Sequence, residues 1–107
     1  MNAPLSIKVT VSAAGTPVQV TATSTMVSRI MFEPLIANSG KSYVGNSALS
    51  VSTGAGLTKT FLPAAASGVN DRWEFADANQ GRTIDVSQFY IDVQTSGQGM
   101  IVSYAIG

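Results

Sequence analysis

The sequence contains no cysteine and no histidine. Without cysteine the chain forms no disulfide and offers no thiolate to a metal ion or a substrate. Without either residue type, the Ser-His-Asp and Cys-His arrangements of nucleophilic catalysis are excluded. A Ser-Lys pair is the nucleophilic arrangement that remains, but serines in strand-and-turn proteins are usually polar filler. We therefore predict no catalytic residues, no metal site and no cofactor, which is the pattern of a protein that is not an enzyme.

Charged residues are also scarce. They make up 11% of the chain, against about 25% in an ordinary globular domain. Six basic and six acidic residues cancel, so the sequence predicts no attraction to nucleic acid or to an anionic membrane surface. A surface without net charge favours association. We expect neighbouring subunits to cover part of it, the alternative being a monomer whose surface is simply poor in charge.

Two short motifs resemble ligand-binding loops but lack residues that those loops require. Gly40-Lys41-Ser42 matches the end of a phosphate-binding loop, but Leu35 stands where its first glycine is required, and a strand pattern follows instead of a helix. The segment that begins at Asp77 resembles a calcium loop, but its twelfth position is Gln88 instead of a bidentate glutamate. Both segments are typical of ordinary turns.

Apolar residues recur at every second position along most of the chain. In residues 5–13, apolar side chains at the odd positions alternate with polar ones, which indicates a half-buried strand. Similar segments, separated by turns rich in Gly, Asn and Pro, cover residues 18–23, 27–33, 41–45, 48–52, 57–61, 72–75, 84–86, 89–93 and 100–106.

This pattern predicts a fold without helices. We expect one all-β domain over residues 1–107, an antiparallel β-sandwich of about eight short strands. A jelly-roll topology suits the number of strands, and a seven-stranded immunoglobulin-like sandwich is the alternative.

The periodicity changes phase once, near Ser87. Ile84 and Val86 lie on even positions, whereas Phe89 and Ile91 lie on odd positions. A change of face requires a bulge or a break in the strand. Beyond it, residues 89–93 and 100–106 are predicted to form a terminal hairpin closed by residues 95–99. Its core-facing residues would be Phe89, Ile91, Val93, Met100, Val102, Tyr104 and Ile106.

Three larger side chains are candidates for contacts outside the core. Tyr90 and Ile101 lie on the other face of the predicted hairpin, and we predict that they contact another chain. The alternative is scattered exposed apolar residues, which are common on monomers. Trp73 alternates with Phe75, which favours core packing. An aromatic side chain beside polar residues could instead stack on a sugar ring.

Four segments between residues 40 and 107 resemble a known group of proteins. They are Tyr43-Val44-Gly45-Asn46-Ser47, Ser52-Thr53-Gly54, Asp85-Val86-Ser87-Gln88-Phe89-Tyr90-Ile91-Asp92 and Thr95-Ser96-Gly97. The arrangement resembles small β-sandwich cement or decoration proteins encoded among the head genes of tailed bacteriophages. Asn46 stands where aspartate is common in that group, and Phe89 where leucine or isoleucine is common. These motifs encode strands and turns.

The resemblance implies a non-enzymatic structural protein of the virion, made in the host cytoplasm and bound to the capsid exterior. Its partner would be the major capsid protein, whose neighbouring subunits it would bridge, and it would form a homo-oligomer, a dimer or a trimer. The alternative is a head-fibre, tail or receptor-binding module that recognises carbohydrate. The loop at residues 64–70 and a possible N-terminal arm at residues 1–5 would contact the shell, the arm comprising Met1, Asn2, Ala3, Pro4 and Leu5.

Overall fold

The alternating segments form short antiparallel strands. The computed structural model describes residues 5–63, 72–76 and 83–105, and within them ten strands and one 3-10 helix. The strands are β1 (Leu5–Thr10), β2 (Val18–Gln19), β3 (Met26–Val27), β4 (Arg29–Pro34), β5 (Ser42–Ser50), β6 (Ala55–Phe61), β7 (Trp73–Ala76), β8 (Ile84–Asp85), β9 (Tyr90–Val93) and β10 (Gly99–Ala105).

Eight of these strands build the two layers of a sandwich. Sheet I has the order β1-β10-β4-β7 and sheet II the order β2-β9-β5-β6, while β3 and β8 form a separate two-stranded pair. Neighbouring strands are antiparallel throughout. The prediction of an all-β antiparallel sandwich is confirmed.

The core lies between the two sheets, where their inward-facing side chains meet. Its largest fully buried members are Phe32 and Ile30 from β4, Met100 from β10, Phe61 from β6 and Ile91 from β9. Each such side chain contributes about 1.5–3 kcal/mol relative to its exposed state. The alternation in the sequence therefore has a direct energetic cause, because every second residue of these strands leaves water.

The sequence predicted two strands, residues 41–45 and 48–52, where the structure has the single strand β5. The register between β5 and β6 shifts after Val44 and again after Gly45, so a bulge absorbs residues that a turn was expected to hold. Gly45 permits this irregularity, because a Cβ there would collide with the backbone oxygen of Gly56 on β6. The true turn follows at residues 51–54, where the N–H of Gly54 donates to the carbonyl of Ser50 (2.8 Å).

The predicted terminal hairpin is wrong. β9 belongs to sheet II and β10 to sheet I, so residues 94–98 connect the two layers instead of two paired strands. The inward faces of the described residues are nevertheless as predicted, since Ile91, Val93, Met100 and Val102 are buried and Phe89 and Tyr104 pack against the core. Ile106 lies outside the described residues. Alternation reports which side of a strand is buried, and a hairpin and a connection between sheets produce the same pattern.

The predicted change of face at Ser87 is confirmed. A 3-10 helix, Val86–Gln88, separates β8 from β9. Ile84 is buried before it and Ile91 after it, so the helix lets both strands direct apolar side chains into one core.

Replacing Phe32 tests this arrangement. Phe32→Ala should lower the free energy of unfolding by about 3–5 kcal/mol, because it leaves a cavity between the sheets. Met31→Ala is the matched control, since Met31 is the neighbouring residue of β4, half-buried on the opposite side of the strand. Urea unfolding measures both. Equal losses for the two variants would contradict the assignment of faces.

Candidate interaction surfaces

The outer face of sheet II carries an uncharged surface, which we call the tyrosine face. It is formed by two rows of cross-strand partners, which share one side of the sheet. The rows meet on β5, where Tyr43 pairs with Asp92 and Thr60, and Gly45 pairs with Tyr90 and Leu57. Val44, between these two positions, points into the core. The tyrosine face comprises Gln19, Tyr43, Gly45, Leu57, Thr60 and Tyr90.

Asp92 is the one charged residue in these rows, and it does not reach the surface. Its side chain is 1% exposed, and its Oδ1 accepts bonds from the backbone N–H groups of Gly15 (3.0 Å) and Val93 (2.8 Å). A second bond holds the same loop, from the N–H of Ala14 to Ser96 Oγ (2.9 Å). The loop at residues 12–17 therefore covers the carboxylate and leaves the exposed part of the tyrosine face neutral.

The outer face of sheet I is charged instead. Lys8 and Glu33 flank Ile101 in one row, and Arg29 stands in another. Two ion pairs cross the face, Arg29 to Glu74 (3.9 Å) and Arg72 to Glu33 (3.3 Å). Exposed pairs of this kind contribute little to stability. The two sides of the sandwich thus differ sharply in polarity.

The structure separates the predicted contact residues. Tyr90 lies on the outer face of sheet II and Ile101 on the outer face of sheet I, so they do not share the single face that the hairpin prediction gave them. Leu5 begins β1 and is 53% exposed. Met1, Asn2, Ala3, Pro4 and the loop at residues 64–70 lie outside the described residues.

An aromatic cluster connects the core to the surface near β7. The Trp73 ring stacks on the buried Phe32 ring with a centroid distance of 5.7 Å, which confirms the prediction that Trp73 packs against the core. Phe75 continues the cluster, 6.0 Å from Trp73 and 6.5 Å from Phe89. Phe75 is 47% exposed, so the cluster presents an aromatic ring to solvent.

Asp85, the last residue of β8, joins three segments of the chain. Its carboxylate accepts bonds from Ser24 Oγ (2.7 Å), the Thr25 N–H (3.0 Å), and the N–H (3.0 Å) and Oγ (2.8 Å) of Ser87. These donors favour the ionised form. The bonds from Ser24 and Ser87 are the main reason that the pKa of Asp85 falls from its ordinary value of 3.8 to about 2.

The structural roles of Asp85 and Asp92 were not predicted from the sequence. For Asp85 a signal was present, because Asp followed two residues later by Ser is a common pattern at the start of a helical turn. For Asp92 there was none. Alternation placed it correctly on the outer side of its strand, and the loop that buries it comes from residues far away in the chain.

Within residues 5–63, 72–76 and 83–105, no three His, Cys, Asp or Glu side chains are grouped so that they could hold a metal ion. The same residues include no helix long and apolar enough to cross a membrane.

Comparison with known proteins returns no match. No protein-family model, no curated protein and no solved structure is significantly similar to this chain.

The bonds of Asp85 predict a pH dependence. Because its pKa is lower in the fold than its ordinary value, the carboxylate stabilises the fold fully above pH 3.8, and this contribution is lost as the pH falls towards 2. Asp85→Asn should lower the unfolding temperature at pH 7, and the gap to the parent protein should narrow below pH 3.8.

Thermal unfolding between pH 7 and pH 2 measures that gap. Glu74→Gln is the control, because it neutralises an exposed carboxylate that makes one long ion pair. A gap between Asp85→Asn and the parent protein that stays constant down to pH 2 would contradict the role assigned to Asp85.

Proposed function

We propose that this chain is a non-enzymatic structural subunit of a bacteriophage virion, which binds the outside of the capsid and bridges neighbouring copies of the major capsid protein. One observation carries the proposal. The two longest segments of the resemblance are neighbours in sheet II, where Tyr43 pairs with Asp92, Val44 with Ile91 and Gly45 with Tyr90. Residues that are distant in sequence thus form the centre of one surface.

The tyrosine face is the surface that we assign to the capsid. The centres of protein interfaces are depleted in charged residues and enriched in tyrosine. Tyrosine contributes a large apolar ring and a polar hydroxyl at little cost in conformational entropy. Tyr43 is only 8% exposed, so the exposed part of the tyrosine face consists mainly of the partly exposed Tyr90 and the neutral Thr60. It matches this composition, whereas the charged outer face of sheet I suits contact with water.

Bridging would stabilise the shell through mass action. A subunit that binds the assembled shell, and not its separated proteins, shifts the equilibrium towards assembly. The sandwich would serve as a rigid spacer, and residues 1–5 and the loop at residues 64–70 would extend the contact. Such a role places the protein on the capsid exterior and involves self-association of the subunit.

The copy number in purified particles tests the proposal. Quantitative mass spectrometry of virions of the phage that encodes this chain should find it in numbers comparable to the major capsid protein. A few copies per particle would move it to a vertex, a fibre or the tail, and its absence from the particle would overturn the structural role.

A charge placed on the tyrosine face should weaken capsid binding. Thr60 is exposed there beside Tyr43, and Thr60→Arg would bury an unpaired charge in the contact. We expect binding to capsids that lack the chain to weaken by about tenfold or more in a sedimentation assay. Ser103→Arg, on the outer face of sheet I, is the matched control and should bind like the parent protein. The reverse result would assign the capsid to sheet I.

The exposed ring of Phe75 favours a second candidate function, a fibre, tail or receptor-binding module that recognises carbohydrate. Phe75 lies beside Trp73 and follows the ion-paired Arg72 and Glu74 in the sequence, and sugar rings stack on aromatic side chains with polar neighbours. Trp73 is the only tryptophan, so its fluorescence reports on this cluster alone.

Titration with host-surface oligosaccharides decides between the two candidates. A carbohydrate module should show saturable quenching of Trp73 fluorescence that Phe75→Ala abolishes. For a capsid-binding protein we expect no saturable change with any sugar, and saturable quenching would contradict that expectation.

A further inference from the structure

Strand β1 forms a long, regular edge of sheet I. Among the described residues its only partner in the sheet is β10, and its six residues pair with β10 in unbroken register, from Leu5 opposite Tyr104 to Thr10 opposite Gly99. An edge strand presents unpaired N–H and C=O groups that can pair with another chain.

The phase of the hydrogen bonds shows which backbone groups face outward. The N–H of Val11 donates to the carbonyl of Gln98 (2.9 Å), just beyond β1. Since bonded and non-bonded positions alternate in an antiparallel pair, the odd-numbered residues of β1 bond to β10. The N–H and C=O groups of Ser6, Lys8 and Thr10 therefore point away from the sheet.

The other three edges of the sandwich carry features that hinder pairing. β2 has two residues and β7 has four. β6 is longer, but its register with β5 is shifted and Gly56 has a φ of +66°. Short strands, bulges and irregular backbone are the means by which proteins protect sheet edges. β1 has none of these backbone features, and Lys8 is its one side chain of the kind that discourages pairing.

The side chains of β1 suit an apolar contact. Leu5 is 53% exposed and Ile7 is only partly buried, although both lie on the side of the strand that faces the core. Lys8 is the only charged residue of the strand, and it lies on the opposite side. The partly exposed apolar side chains therefore lie along the same strand edge whose outward backbone groups have no partner in the sheet.

We propose that two copies of this chain associate edge to edge through β1, antiparallel about a two-fold axis, with Ile7 opposite Ile7. The two sheets I would then form one continuous sheet. Ser6 of one copy would exchange backbone hydrogen bonds with Lys8 of the other, and Leu5 would face Val9. The partly exposed Leu5 and Ile7 would thereby be covered.

Geometry and charge select this register. Residues directly opposite each other in an antiparallel pair lie on the same face of the sheet, so Ile7 cannot face Lys8. Of the two neighbouring registers that remain, one places Lys8 opposite Lys8, where like charges are destabilising. The other places Ser6 opposite Ser6 and pairs only residues 5–7 of β1, against residues 5–9 in the Ile7 register. The Ile7 register avoids the contact between lysines and places apolar residues opposite one another.

This dimer rests on the self-association in the proposed function and specifies its surface, but it does not depend on the contact with the capsid. The tyrosine face belongs to sheet II and the β1 edge to sheet I, so a dimer leaves both tyrosine faces open. Self-association and particle binding are therefore measured separately.

Single-cysteine variants test the register directly, because the parent chain has no cysteine. In the proposed register the two Cα atoms at position 7 lie about 4.5 Å apart, within disulfide range, whereas those at position 8 are diagonal neighbours about 7–8 Å apart. Under mild oxidation, Ile7→Cys should yield a covalent dimer much faster than Lys8→Cys. Ser103→Cys, on the adjacent strand, is the control and should remain monomeric in denaturing gels. Faster cross-linking at position 8 would overturn the register.

Charge at position 6 provides a second test that leaves the apolar side of β1 intact. Sedimentation equilibrium of the full chain should show a dimer, and Ser6→Lys should weaken it roughly two- to thirtyfold, because the introduced ammonium group would face Lys8 of the other copy. Ser6→Glu should strengthen it. Both variants are compared with Ser103→Lys, which should not change the dimer dissociation constant.

Lys8→Pro completes the set. It removes an N–H that faces away from β10, a position at which an edge strand tolerates proline. The variant should become monomeric and unfold like the parent protein at concentrations too low for dimerisation. A parent chain that is monomeric at all concentrations, or a dimer unaffected by Lys8→Pro, would overturn the proposal whatever the chain does with capsids. A β1 dimer that does not bind capsids would overturn only the capsid contact.

Discussion

The pairing of β5 with β9 is the contact on which the rest of the sandwich depends. It places Val44 beside Ile91 on the inner side of sheet II and Tyr43 and Tyr90 on the outer side. One ladder of backbone hydrogen bonds therefore supplies part of the core and the centre of the tyrosine face. Because side chains alternate strictly between faces, a slip of one residue would turn the core residues outward and the two tyrosines towards the core.

Two aspartates hold the loops around that ladder. Asp85 gathers residues 24–25 and the 3-10 helix at one end, and Asp92 fixes the loop at residues 12–17 across the other side of β9. Each uses a carboxylate to accept hydrogen bonds from backbone N–H groups. In a chain with so few charges, these two are used for internal structure, whereas the outer face of sheet I keeps its charges in contact with solvent.

Local pattern was sufficient for part of the fold. Alternation identified the inward-facing residues, from Val9 in β1 to Val102 in β10, because each buried side chain leaves water separately. It did not fix the strand limits, since the predicted strand at residues 27–33 is divided into β3 and β4. The break near Ser87 was also predicted from the sequence, since a strand cannot reverse its buried side without a bulge or a break.

Alternation did not predict which of the two sheets each strand joins. β9 and β10 have the alternation of a hairpin, but their partners are set by contacts between residues far apart in sequence. The same limit applies to the candidate surfaces. Tyr90 and Ile101 were assigned to one face because a hairpin was assumed, and the continuity of β5 through its bulge depends on the proximity of Gly56 to Gly45, which no local pattern encodes.

The order of strands in sheet I has a consequence for synthesis. β10 lies between β1 and β4, so this layer lacks its central strand until residues 99–105 have left the ribosome. Closing Leu5 onto Tyr104 then joins positions that are nearly the whole chain apart, and such non-local closure makes folding slow. Sheet I is therefore assembled after translation of β10, and until then β1 and one edge of β4 stay open to contact with chaperones.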